Sequence, residues 1–264
     1  MRKPALMLAA ALSCLVVGTM PAAALSQNPY ITPADYDVLH LLPPPPASGS
    51  QAEREDVEAV AELRAASSPE RIALAEKDAT DGLNSFTAVL APGFDFAKLP
   101  DVEAFFRKVG RDTQFATTLG KDCWERPRPF VLDSDIHPPG TMQQGTLARP
   151  GDKNTAPHGP GSACPALGPS PQYSYSYPSG HSTFGAMTAI LLSDMVPEKR
   201  AELYARGWQF GESRIVGGVH YPTDVDAGRI DATALVAVMM RNPDFRADLA
   251  AAGAELRASL GLNP

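Results

Sequence analysis

Three short segments concentrate residue types that bind or attack phosphorus. The first reads Lys121-Asp122-Cys123-Trp124-Glu125-Arg126-Pro127-Arg128-Pro129. Its two prolines stop the preceding helix, leaving Lys121 near the helix end and Arg128 in an extended exit. The second is Pro178-Ser179-Gly180-His181. Ser179 suits an N-cap, Gly180 lets a ligand approach the backbone, and the free amides of the helix start favour an anion. The third runs from Ser213-Arg214 through His220 to Asp224. His220 falls in a connector and Asp224 in the first turn of the next helix. That spacing lets a carboxylate hold one imidazole nitrogen and leaves the other free as a nucleophile.

Taken singly, each segment has an ordinary explanation. Cations at a helix end complement its dipole, a Ser-Gly step caps a helix, and His-x-x-x-Asp is common. Chemistry requires that they meet, and the elements that would carry them are helical. After Gln51 the residues Ile72, Ala75, Ala79, Leu83, Phe86 and Leu90 recur at three- and four-residue steps. A second helix is predicted over 101–121, with Val102, Phe105, Phe106, Val109, Ala116 and Leu119 inward. His181 to Met195 is small and apolar on nearly all sides, the mark of a buried central helix. Further helices are predicted over 198–214, 224–240 and 243–260, with Gly217-Gly218 ending one and Pro222 opening the next. Alternating strand patterns with hairpin turns are essentially absent. The expected fold is all-α, a single-domain helical bundle around that central helix.

The chain has 264 residues and a formal charge of −7, which argues against nucleic acid as a partner. Residues 1–24 read as a signal peptide: Arg2 and Lys3, an apolar run from Ala5 to Thr19, then Pro21 and Ala22-Ala23-Ala24. Export to the periplasm or the medium follows as an expectation. After residue 25 no stretch is long and apolar enough to span a bilayer. Residues 25–50 read as an extended Pro-rich arm, with Pro43 to Pro46 polyproline-like and Ala47 to Ser50 a flexible joint. The remainder, 51–264, is the helical domain. Within it, 130–178 carries nine prolines and six glycines and reads as a long loop covering the substrate. Export also makes Cys123 and Cys164 a candidate disulfide, with two unrelated buried thiols as the alternative. Neither cysteine has metal-ligand spacing.

In order, the three segments resemble the signature of the type 2 phosphatidic acid phosphatase superfamily: Lys-x6-Arg-Pro, Pro-Ser-Gly-His, and Ser-Arg-x5-His-x3-Asp. Every specified position matches, from Lys121, Arg128 and Pro129 to Arg214, His220 and Asp224. The leader, the Leu42 to Pro46 arm, Arg128-Pro129-Phe130 and the closing helices are similar to the bacterial class A non-specific acid phosphatases. That resemblance implies an all-helical enzyme hydrolysing many phosphomonoesters without metal or other cofactor, inhibited by phosphate or vanadate. Homo-oligomerisation is implied by the resemblance alone. The longer insertion before Tyr173 departs from the pattern and leaves the leaving-group preference open, along with phosphate transfer to an alcohol.

The resemblance implies the roles as well. Lys121, Arg128 and Arg214 would bind the phosphoryl oxygens, with Ser179 and the Gly180 amide adding donors. His220 would attack to form a phosphohistidine, held by Asp224, and His181 would protonate the leaving group and later activate water. One neutral and one protonated histidine predict a bell-shaped pH profile on the acid side. Vanadium-dependent haloperoxidases share the signature, and a phosphate-ester binding protein would use the same cations. The histidine–carboxylate pair is unexplained by mere binding. A Cys-x5-Arg motif is missing, and Asp133-Ser134-Asp135 lies in proline-rich loop sequence.

Overall fold

The computed structural model describes residues 28–32, 34–143 and 175–263. In chain order the helices are α1 (Val38–Leu41), α2 (Gln51–Ala66), α3 (Pro69–Asp81), α4 (Thr87–Leu90), α5 (Pro100–Trp124), α6 (Pro129–Leu132) and α7 (Gly140–Gln143). They continue with α8 (Gly180–Met195), α9 (Arg200–Val216), α10 (Pro222–Met239) and α11 (Pro243–Ser259). No strand occurs among the described residues, so the fold is all-α. The expected helices are present, with ends shifted by up to three residues.

Local chemistry explains most boundaries. Ser50 and Ser68 accept from the amides of Glu53 and Arg71, and Pro69 occupies the first turn of α3. Ser68-Pro69 therefore breaks what periodicity alone runs together. Proline also opens α5, α10 and α11. At the end of α5, Glu125 adopts a left-handed conformation (φ 45°) and its amide reaches the Lys121 carbonyl at 2.9 Å.

α8 lies at the centre, packed against α5, α9, α10 and α11. Its crossing with α9 is close because small residues face each other. A Cβ on Gly207 would stand 2.6 Å from that of Ala189 and 2.9 Å from the Gly185 carbonyl. α10 approaches the start of α8 as tightly, since a Cβ on Gly228 would lie 2.7 Å from the Ser179 carbonyl. The main core also holds Phe105, Phe245 and Tyr30, whose rings meet edge-on or tilted.

Two expectations are corrected. The segment before α2 is not extended throughout its described part, because α1 interrupts it, and Tyr30, Ile31, Tyr36, Val38, Leu39 and Leu42 are buried in the main core. The Tyr30 amide and hydroxyl donate to Asp112 (2.8 Å) and Asp248 (2.7 Å), and the Tyr36 hydroxyl donates to Asp231. Ala47 to Ser50 is ordered by Ser50 capping α2 and by Glu53 accepting from the Gly49 amide at 2.7 Å. The 130–178 stretch contains α6 and α7, so its described part is not all loop. Met142 of α7 is buried beside Val216 and Val219, where apolar burial outweighs the sparse local helix signal. Its residues 144–174, with Cys164 and His158, lie outside the described residues, as do the proposed leader and its cleavage site. Cys123 itself is buried and disulfide-bonded.

Candidate active site

The three segments converge at one end of α8. Lys121 comes from the last turn of α5, Arg128 from the extended residue before α6, and Arg214 from the last turn of α9. Gly180 and His181 begin α8, and His220 lies in the short connector to α10. All six line one cavity of about 520 Å³. The lining also includes Gly110, Thr113, Gln114, Thr117 and Thr118 of α5 and Phe184 of α8.

The cations are held differently. Lys121 Nζ donates to the Tyr175 carbonyl at 2.6 Å. Arg128 donates to the carbonyls of Val219 (2.6 Å) and Tyr175 (3.1 Å). Arg214 is 4% exposed, yet its Nε and Nη1 have no hydrogen-bond partner among the described residues. Burial and mutual repulsion destabilise the charged forms. Lys121 is held well below its ordinary value by burial and by Arg128. Arg128 falls to about 10 through burial, and Arg214 to about 9 through burial and Arg128. Such a site stabilises an anion that brings compensating charge.

His220 Nδ1 stands 3.1 Å from Asp224 Oδ2, while its Nε2 is 3.0 Å from Arg128 Nη1. Asp224 also accepts from the Tyr221 amide at 3.0 Å, which makes it both helix cap and imidazole partner. Burial raises the pKa of this carboxyl, but Arg126, His220 and Ser176 outweigh burial and hold it below the carboxylate range. Burial, with Arg128 and Lys121, pushes the His220 imidazole well below its ordinary value despite Asp224. His220 is thus neutral, with Nδ1 facing an acceptor and Nε2 facing a donor.

His181 Nε2 lies 3.3 Å from the Ala79 carbonyl, and its ring stacks on Phe210 with centroids 6.0 Å apart. Burial, followed by Arg214 and the other two cations, lowers its pKa to about 3. Ser179 is placed behind the cavity rather than on its wall. Its amide donates to the Asp224 carbonyl at 3.0 Å and its hydroxyl accepts from the Ser182 amide, so it aims α8 at the site.

Several residues were not singled out from sequence. Ser176 donates to Asp224, and Arg126 bridges Asp224 and Asp56. Arg126 lies inside the first motif, but its type alone does not distinguish a cavity residue from a buried strut. Ser176 precedes Pro178 in a Tyr-Ser repeat without a helical signal. His40 pairs with Asp37 at the surface. Among the described residues, no three His, Cys, Asp or Glu are grouped to hold a metal, and no helix could cross a membrane.

Residues 112–248 match the model of the PAP2 superfamily. The chain is 31% identical over 224 residues to an "Acid phosphatase" of Zymomonas mobilis, covering 83% of this chain and 75% of that protein. It is 31% identical over 221 residues to a "Non-specific acid phosphatase" of Salmonella typhimurium, with 81% and 78% covered. A "Non-specific acid phosphatase" of Salmonella typhi is 30% identical over 250 residues, with 92% and 89% covered.

Proposed function

The chain belongs to the PAP2 superfamily, and on that premise we propose that the cavity hydrolyses phosphomonoesters through a phosphohistidine on His220, without a metal ion. The relatives it resembles are named acid phosphatases. One observation carries the assignment of the site. Arg214 presents two buried nitrogens, unpartnered among the described residues, at a cavity that also holds Lys121, Arg128 and two imidazoles. Three cations supply the positive field that other phosphatases draw from metals.

In this reading the phosphoryl oxygens take the hydrogen bonds of Arg214, Arg128 and Lys121, and the Gly180 amide adds a donor at the start of α8. The Nε2 lone pair of His220 forms an N–P bond as the P–O bond to the leaving group breaks. The leaving oxygen takes a proton from His181. Water then attacks the phosphohistidine, giving its proton to His181, and the N–P bond breaks to release orthophosphate. Asp224 holds the Nδ1 proton throughout and offsets the charge gained by the ring. The dianionic substrate also brings His181 a negative charge that offsets the cations and lets it carry a proton.

The deciding experiment uses phosphorus-labelled p-nitrophenyl phosphate in excess chelator, quenched in base. Label is expected on His220 and absent from His220→Ala. Label on serine or a carboxylate overturns the nucleophile, and dependence on added metal overturns metal independence. Oxidation of bromide with peroxide and vanadate would instead make the site a haloperoxidase. Phosphate binding without turnover would make it a binding module. The leader supports export, tested by N-terminal sequencing of protein from periplasm or medium, which should begin near residue 25.

A further inference from the structure

The most buried guanidinium near the cavity does not reach it. Arg126 is fully buried and lies outside the cavity lining. Its Nη1 donates to Asp224 Oδ1 at 2.6 Å and to Thr223 Oγ1 at 2.7 Å, while its Nη2 donates to Asp56 Oδ2 at 2.7 Å. The guanidinium also lies 3.9 Å from the centroid of the Tyr221 ring. Thr223 donates its hydroxyl to the same Asp56, closing a ring of groups between α2 and α10. One fork therefore serves two carboxylates.

The two oxygens of Asp224 are divided between different tasks. Oδ1 belongs to Arg126, and Oδ2 receives the Tyr221 amide, the Ser176 hydroxyl and His220 Nδ1. A carboxylate surrounded by donors carries no proton and can only accept. His220 must then keep its hydrogen on Nδ1 and its lone pair on Nε2. Arg128 Nη1, which can only donate, faces Nε2 at 3.0 Å and requires the same tautomer.

We propose that Arg126, anchored by Asp56, is a positioning residue: it fixes the orientation and charge of Asp224 and so presents the Nε2 lone pair of His220 to phosphorus. The inference rests on His220 being the nucleophile. Arg126 touches neither substrate nor the reacting atoms, so its effect passes through Asp224.

The charges acting on His220 are Lys121 from α5, Arg128 from the segment before α6 and Asp224 from α10, with Arg214 of α9 and His181 of α8 lining the same cavity. Arg126 and then Asp56 of α2 stand behind Asp224. Removing either outer charge acts on His220 with opposite sign. Arg126→Gln deletes a positive charge and makes the imidazole easier to protonate. Asp56→Asn deletes a negative charge and makes it harder.

The test measures p-nitrophenyl phosphate hydrolysis across pH, with orthophosphate as inhibitor. Arg126→Gln should lower kcat about 100-fold while the orthophosphate inhibition constant stays within about threefold. The acid limb of its kcat/KM profile should move up by about one pH unit, and that of Asp56→Asn should move down. Arg126→Lys should restore part of kcat, since lysine keeps the charge but not the fork. A purely structural Arg126 leaves both limbs unmoved or moves them the same way, and either result overturns the proposal. If Arg126→Gln does not fold, Asp56→Asn decides alone: a lowered limb supports the proposal and an unmoved one rejects it. Base-quench labelling of the parent separates the two readings. Label on His220 with unmoved limbs rejects only the role of Arg126, whereas label elsewhere rejects the nucleophile itself.

Discussion

Arg128 Nη1 stands 3.0 Å from Nε2 of His220, the imidazole nitrogen with no carboxylate beside it. On the proposed mechanism a guanidinium rests on the lone pair that attacks phosphorus, and an incoming phosphoryl group must draw it aside. The same arginine keeps the Val219 carbonyl at 2.6 Å, so it can turn toward the substrate without losing its anchor.

Arg128→Lys tests that double duty. Lysine retains the charge but cannot fork between a carbonyl and a phosphoryl oxygen. We expect kcat/KM for p-nitrophenyl phosphate to fall by about 10²–10³. A value within about threefold of the parent would show that charge alone suffices.

Arg214 sets function against stability. It buries a cation with two nitrogens unpartnered among the described residues, which costs the fold stability. Arg214→Met is expected to raise the orthophosphate inhibition constant by about 100-fold or more while leaving Tm equal or higher. A Tm several degrees lower with orthophosphate inhibition intact would make Arg214 a structural strut.

Burial and then Arg214 hold the His181 pKa near 3. A bound dianion offsets the cations and raises it toward the ordinary value of about 6.5. Near pH 5 the free enzyme holds His181 neutral, so anion binding should take up a proton. Sulfate is a suitable probe, since it carries no proton there. Calorimetry in buffers of different ionisation enthalpy should show uptake that disappears in His181→Gln. Binding heats independent of buffer would refute the shift. Without ligand, the unfolded chain binds protons at His181 more readily than the folded one. This histidine's contribution to stability is therefore complete above about pH 6.5 and is lost as pH falls toward its folded value.

Asp231 has the opposite sign. Burial holds its carboxyl well above the usual range, between the Tyr36 hydroxyl and the Thr183 hydroxyl at 3.0 Å. The folded state keeps this proton longer than the unfolded one, so its contribution is present at low pH and is lost as pH rises above about 4. Asp231→Asn removes the titration, and its amide can donate to Thr183, whose hydroxyl already donates to the Ser179 carbonyl at 3.1 Å. The variant should match the parent in denaturant midpoint near pH 4 and exceed it near pH 7. A difference that does not grow with pH would contradict this.

Much of the fold was legible because helix signals are local. The period of Val102 to Ala116, the cap at Ser179 and the prolines opening α5, α10 and α11 each act within a few residues. What misled was equally local. The prolines before α2 suggested a loose arm, whereas Tyr30 and Tyr36 bury themselves through partners more than 80 residues away.

The sequence by itself determined which chemical groups are available: three cations, two histidines and a carboxylate, in motif order on helix ends. Tertiary structure alone decided how they are used. It left two Arg214 nitrogens without a partner among the described residues, set Arg128 against His220, withdrew Ser179 from the cavity wall and joined Arg126 to Asp224 and Asp56 across separations of 98 and 70 residues. Periodicity and capping depend on neighbours along the chain. Charge pairing and burial depend on which surfaces the helices bring together, and no short-range pattern encodes that.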